Sequence, residues 1–187
     1  MRCVIPIVMR MNVSDEDLAR AAIAGDGDAF SSLVARHYDR IFRLSFRLTG
    51  ARAEAEDLCQ DICAALPAKI AAFRSEARFT TWLYRLVMNA AHDRRRRAAT
   101  RARAADGWGE VEQARRAEAT ETAEALDWLT TAMRALPGEL RDTVALVLDE
   151  VTHAEAAQIL GVSEGTVSWR MSEVKKRLRA LKEAEDG

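Results

Sequence analysis

The sequence predicts an all-α protein: two small helical domains joined by a linker. Apolar residues recur at intervals of three and four in the longer stretches, and no stretch alternates apolar and polar with period two. Between the two patterned parts lies a segment rich in Ala, Arg and Glu that lacks a sustained apolar stripe. The expected boundaries are 12–99 for the first domain, 100–121 for the linker and 122–184 for the second. A chain of 187 residues, 49% hydrophobic and 30% charged, suffices for two such cores and a solvated surface.

Taken in order, Ser14 with Asp17 three residues on starts a first short helix, and "GDGD" at 25–28 breaks it. A second helix carries Phe30, Leu33, Val34, Tyr38, Ile41, Phe42 and Phe46 on one stripe and ends at Thr49-Gly50. "AEAEDLCQDICAAL" is a third, which Pro67 is expected to interrupt. The fourth opens "RFTTWLYRLVMNAAHDRRRR", with Phe79, Trp82, Leu83, Leu86, Val87 and Ala90 as its buried stripe. The segment after Thr100, with Gly107 and Gly109 around Trp108, reads as linker. In "VTHAEAAQILGVSEGTVSWRMSEVKKRLRAL", Thr152 and Glu155 form a capping box, Gly161 ends that helix and Ser163 caps the next. Helix, three-residue turn, helix is the spacing of a helix-turn-helix, whose second helix enters the DNA major groove.

The formal net charge of −1 conceals an uneven distribution. Residues 78–103 hold eight Arg and one Asp, giving +7; 104–127 hold seven acids and two Arg, giving −5; 163–182 hold six bases and two acids, giving +4. Two basic elements with an acidic spacer suggest two contacts with a polyanion and a linker held off it. No run reaches the roughly 18 apolar residues of a membrane span, so membrane insertion is not expected. The N-terminal "MRCVIPIVMRM" is too short in its apolar part and interrupted by Arg10; the reading is a cytoplasmic protein starting at Met1, Met9 or Met11. Three cysteines do not make a disulfide framework.

"AEDLCQDI", then "FRSEARFTTWLYRLVMNAAHDRRRR", then "LPGELRDTVALVLDEVTHAEAAQILGVSEGTVSWR" resemble regions 2 and 4 of bacterial sigma-70-family sigma factors, in order and near-family spacing. The short chain with a brief linker is similar to the extracytoplasmic-function (ECF, group IV) subfamily. The resemblance implies a sigma region 2 helical bundle and a sigma region 4 helix-turn-helix that bind core RNA polymerase and direct it to promoter −10 and −35 elements. Implied partners are the clamp helices of the polymerase largest subunit, the flap of the second-largest subunit, promoter DNA and an anti-sigma factor.

Residue roles follow from that resemblance. Asn89 stands where a −10 base is read, Phe73, Arg74 and Arg78 lie on the loop closing its pocket, and Arg85 is on the same helix. Arg94, Arg95, Arg96 and Arg97 would meet the backbone of the entering DNA. Glu54, Glu56, Asp57, Gln60 and Asp61 occupy the helix that docks on the clamp. Thr166, Ser168, Trp169 and Arg170 would read −35 base edges, Glu173 accepting from a cytosine amine or repelling a phosphate, with Lys175, Lys176 and Arg177 following. The triplet Ser168-Trp169-Arg170 departs from the basic-Ser-Arg pattern of many relatives, and Trp169 reads equally as a packing residue.

Other classes fit less well. A helix-turn-helix regulator acting without polymerase needs no melting pocket, and an adaptor that only sequesters an anti-sigma factor needs neither Asn89 nor Arg170. Cys59 and Cys63, one turn apart, are half a zinc site; they read as inert buried thiols, with no metal or cofactor expected. His92 and His153 read as isolated surface residues. No nucleophile-base constellation or phosphate loop is present, so no catalytic residue and no enzymatic activity are assigned.

Overall fold

The computed structural model describes residues 13–104 and 124–185, and the secondary structure among them is helical. The N-terminal segment with its alternative starts, and the expected linker beyond Ala104 with Trp108, lie outside the described residues. Helices α1 (Asp15–Ile23), α2 (Gly27–Thr49), α3 (Arg52–Lys69) and α4 (Phe79–Ala104) form a first unit. Helices α5 (Glu124–Ala135), α6 (Gly138–Val147), α7 (His153–Leu160) and α8 (Glu164–Glu185) form a second.

Local chemistry accounts for the ends. Ser14 Oγ accepts from the Asp17 amide at 3.1 Å, and the Asp26 carboxylate accepts from the Asp28 and Ala29 amides at 3.0 Å, satisfying donors that a helix start leaves open. Gly50, at φ +72°, closes α2 in the left-handed conformation. A Cβ there would also fall 2.6 Å from Arg134 Cγ, because the Arg134 guanidinium donates to the Gly50 carbonyl. Pro67 does not interrupt α3. It sits in the last turn, where one missing amide bond is outweighed by burial of Leu66 and Ile70, and the chain tightens into a 3₁₀ turn at Ile70–Ala72. Arg141 finishes α5 by donating to the carbonyls of Met133, Arg134 and Leu136.

The buried face of α2 is rotated from the expected stripe. Leu33, His37, Ile41, Leu44, Ser45 and Leu48 point inward, while Tyr38 is 48% exposed. On α4, Phe79, Leu83, Tyr84, Val87, Met88 and Ala91 are buried, with Trp82, Leu86 and Ala90 packed partly against them. Phe79 anchors an aromatic group, its ring 5.4 Å from those of His37, Phe73 and Trp82. In the second unit Leu140, Val144 and Leu146 of α6 meet Ala156 and Ile159 of α7 and Val167 and Val174 of α8.

Buried His37 bonds Asp15 at 2.8 Å, fastening α1 to α2. Burial pulls its pKa below 6.5, with Arg40 and Arg36 acting in the same sense and Asp15 opposing. A histidine whose folded pKa is depressed contributes stability that is complete above the unfolded value and is lost as pH falls through it toward the folded one. The melting temperature should therefore decline as pH drops below about 6.5, and His37→Gln should flatten that part of the curve in a pH series of thermal melts.

Candidate nucleic-acid interface

The arginine run extends α4 without a break, so the apolar stripe and the positive charge share one rod. Asn89 is exposed on it, and its carboxamide makes no hydrogen bond among the described residues. The four arginines differ. Arg96 pairs only with neighbouring Asp93 at 3.0 Å and is 79% exposed, and Arg97 is exposed. Arg94 instead reaches Asp57 at 3.1 Å and Asp61 at 3.5 Å on α3, and Arg95 reaches Asp142 on α6 at 2.8 Å. Phe73, expected on the rim of the pocket, is a core residue at 6% exposure. Its ring packs edge-on against Phe79, so it is not available to a base unless the loop moves. Arg74 and Arg78 remain exposed on that loop, which Ser75 turns at φ +56°.

On α3, Glu54, Glu56, Asp57, Gln60 and Asp61 are all exposed, forming an acidic surface beside the α4 arginines. Glu56 pairs with Arg52 at 2.8 Å. Behind this surface Cys59 is buried and Cys63 half-buried; burial pushes the Cys59 thiol up to about 11 and raises Cys63 as well, so both stay protonated and unreactive at neutral pH. Among the described residues no group of three His, Cys, Asp or Glu is placed to hold a metal, and His37 faces Asp15 instead of the thiols.

The helix-turn-helix is built by the anticipated caps. Thr152 and Glu155 complete the capping box, Gly161 takes φ +67°, and Ser163 Oγ accepts from the Thr166 amide at 3.1 Å. The candidate readers on α8 are not equally free. Thr166 hydrogen-bonds Ser163, Ser168 meets His153 at 3.1 Å, and Arg170 is held to Glu139 at 2.5 Å with little of its side chain exposed. Trp169 is 63% exposed, so it does not serve as a packing residue in this fold. Glu173 pairs with Arg177 at 3.0 Å, and Lys175 and Lys176 are exposed.

Two acids outside every expected site organise the seam between the units. Asp149, after α6, accepts from Tyr84 at 2.5 Å and Arg47 at 2.8 Å, with Arg43 at 3.3 Å and Arg40 at 3.6 Å. Burial alone would raise its carboxyl, but the Tyr84 and Arg47 hydrogen bonds and the charges of Arg47 and Arg43 hold it below the ordinary carboxylate value. Asp142 receives Arg95 and, at 2.7 Å, His92, which is therefore not isolated. One signal for Asp149 was present in the sequence: an acid closing the apolar run "TVALVLD". Its hydrogen-bond partners, 65 to 106 residues earlier, left no local trace.

This geometry, an acidic helix beside a basic rod with a helix-turn-helix packed against it, has counterparts in known proteins. Residues 33–101 match the family model described as Sigma-70 region 2, and residues 126–178 the one described as Sigma-70, region 4. The ECF RNA polymerase sigma factor SigM of Mycobacterium tuberculosis is 37% identical over 172 residues, covering 90% of this chain and 84% of SigM. The chain belongs to the ECF sigma factors of the sigma-70 family. SigW of Bacillus subtilis, another ECF sigma factor, is 28% identical over 167 residues, 83% of this chain and 89% of SigW. CnrH, solved in complex with the cytosolic domain of CnrY, superimposes with a TM-score of 0.67 at 26% identity, covering 91% of this sigma factor and 97% of that chain. The fold is shared with RpoE of Bartonella quintana, at a TM-score of 0.68 and 20% identity over 82% of this chain and 96% of that one. No described helix is long and apolar enough to cross a membrane.

Proposed function

We propose that this sigma factor docks on core polymerase through the acidic face of α3, holds melted −10 DNA along α4 and reads the −35 element with the first turns of α8. The observation that carries the reading is the unpaired, exposed carboxamide of Asn89, about two turns before the exposed guanidinium groups of Arg96 and Arg97. A polar edge-reader followed by fixed positive charge suits a base drawn from the stack with its phosphates neutralised. On α8, Trp169 offers the free reading surface, and Arg170 would need to leave Glu139 to reach a guanine. The protein contributes no catalysis of its own; the polymerase forms the phosphodiester bonds, and the site of action is the cytoplasm. Similarity to CnrH supports extending the reading to a regulatory protein that holds this sigma factor away from polymerase.

Purified protein added to core polymerase should give promoter-specific transcription. Asp57→Arg with Asp61→Arg should weaken core binding on the order of tenfold, through lost charge complementarity, and leave the fold intact. Arg94→Ala controls for loss of the internal pair. Unchanged core affinity in a titration would remove α3 from the docking surface.

A further inference from the structure

Val167, Met171, Val174 and Leu178, spaced alternately by four and three, form the apolar seam that α8 turns into the second unit. On one flank of that seam the polar side chains are engaged within the protein. Thr166 meets Ser163, Arg170 meets Glu139 at 2.5 Å and Glu173 meets Arg177 at 3.0 Å. Arg170 is held deepest: its side chain is only 12% exposed and its Nε is buried, so the guanidinium ties α8 to the first turn of α6. Reaching a base from there would cost both the ion pair and the packing of its stem.

The face opposite the seam is open. Gly165, Trp169, Ser172 and Lys176 follow one another at intervals of four, three and four, and all are exposed. The indole of Trp169 makes no hydrogen bond or ring contact among the described residues. A Cβ placed on Gly165 would meet nothing nearer than Ser163 Oγ at 3.8 Å, so open space lies one turn before the indole, and Ser172 keeps the next turn slim. Lys175, Lys176 and Arg179 line a recess farther along the same helix. An apolar ring protruding between slim turns, with positive charge behind it, suits a groove walled by phosphates. In the major groove thymine alone presents a methyl group, and an indole, with one donor and no acceptor, matches that methyl better than the polar edges of the other bases. We infer that Trp169 packs against a thymine 5-methyl in the −35 duplex and sets specificity there, and that Arg170 is a positioning residue, braced by Glu139, that fixes the depth of the indole. The inference rests on the proposed −35 reading of α8.

The test uses the holoenzyme, the full chain bound to core polymerase. A pool of duplexes randomised over the length of a promoter is passed over it, and the retained sequences are read. In the sequence that the parent selects, each thymine of the upstream element is then replaced singly by deoxyuridine, which lacks only the methyl. One replacement should weaken the parent about fourfold, the factor that burying one methyl-sized group is worth, and should leave Trp169→Ala unaffected. Trp169 is exposed, so that variant keeps the fold. Glu139→Gln and Arg170→Lys loosen the brace without emptying it. Both should bring the thymine-to-deoxyuridine ratio toward one at that same position, while the melting temperature of the free chain stays near the parent value. An equal deoxyuridine penalty in parent and Trp169→Ala, or a selected upstream element without thymine, would overturn the methyl contact. An intact ratio in both brace variants would overturn the positioning role, and a changed base preference at another position in Arg170→Lys would make Arg170 a reader instead. Selection of no upstream element by the parent would overturn the −35 reading itself, and the inference with it.

Discussion

Phe79→Ala is expected to destabilise the protein by about 3–5 kcal/mol, the usual cost of deleting a large buried aromatic side chain. The ring is 1% exposed at the first turn of α4 and touches His37 on α2, Phe73 on the preceding loop and Trp82 one turn on. Its removal leaves a cavity where three elements meet, in a protein whose total stability is of the order of 5–15 kcal/mol. Urea denaturation followed by circular dichroism would measure the loss. Trp82→Ala should cost less, since Trp82 is only partly buried, and equal losses would show that the cavity is not centred on Phe79.

The second large effect separates affinity from discrimination on α4. Arg96→Ala with Arg97→Ala should lower binding to all promoters alike and make its dependence on salt shallower by about 1.4–1.8 in log–log slope, since each lost phosphate contact removes roughly 0.7–0.9. Extending the change to Arg94 should add little to the slope, because that guanidinium is already spent on Asp57 and Asp61. Asn89→Ala should leave the slope intact and reduce activity most on the −10 variant whose base it reads. Transcription and binding across −10 variants at several salt concentrations would decide it. A uniform loss for Asn89→Ala would make its role structural.

Local signals carried most of the fold. Ser14, Thr152, Gly50, Gly161 and Ser163 act where they stand, since caps and left-handed turns are satisfied within a few residues. Pro67 misled because tertiary burial of its neighbours outweighs one lost bond. Tyr38 misled because helical periodicity alone does not fix which edge of a stripe turns inward. For the candidate site, side-chain type and spacing indicated which residues carry charge, but not how that charge is used. Arg94, Arg95 and Arg170 look alike in sequence to Arg96 and Arg97, yet acids distant along the chain engage them. Asp142 and Asp149 escaped notice for the same reason: the partners that give a buried carboxylate its purpose are assembled only by folding.

Glu155 divides its work between its two oxygens. Oε2 accepts from the Thr152 amide and hydroxyl, while Oε1 faces Arg78 across the seam. The two bonds are independent, so releasing Arg78 leaves the start of α7 fastened. Breaking that contact thus requires no helix to melt and re-form. Exposed side chains such as Arg78 exchange partners for water far faster than a helix unfolds.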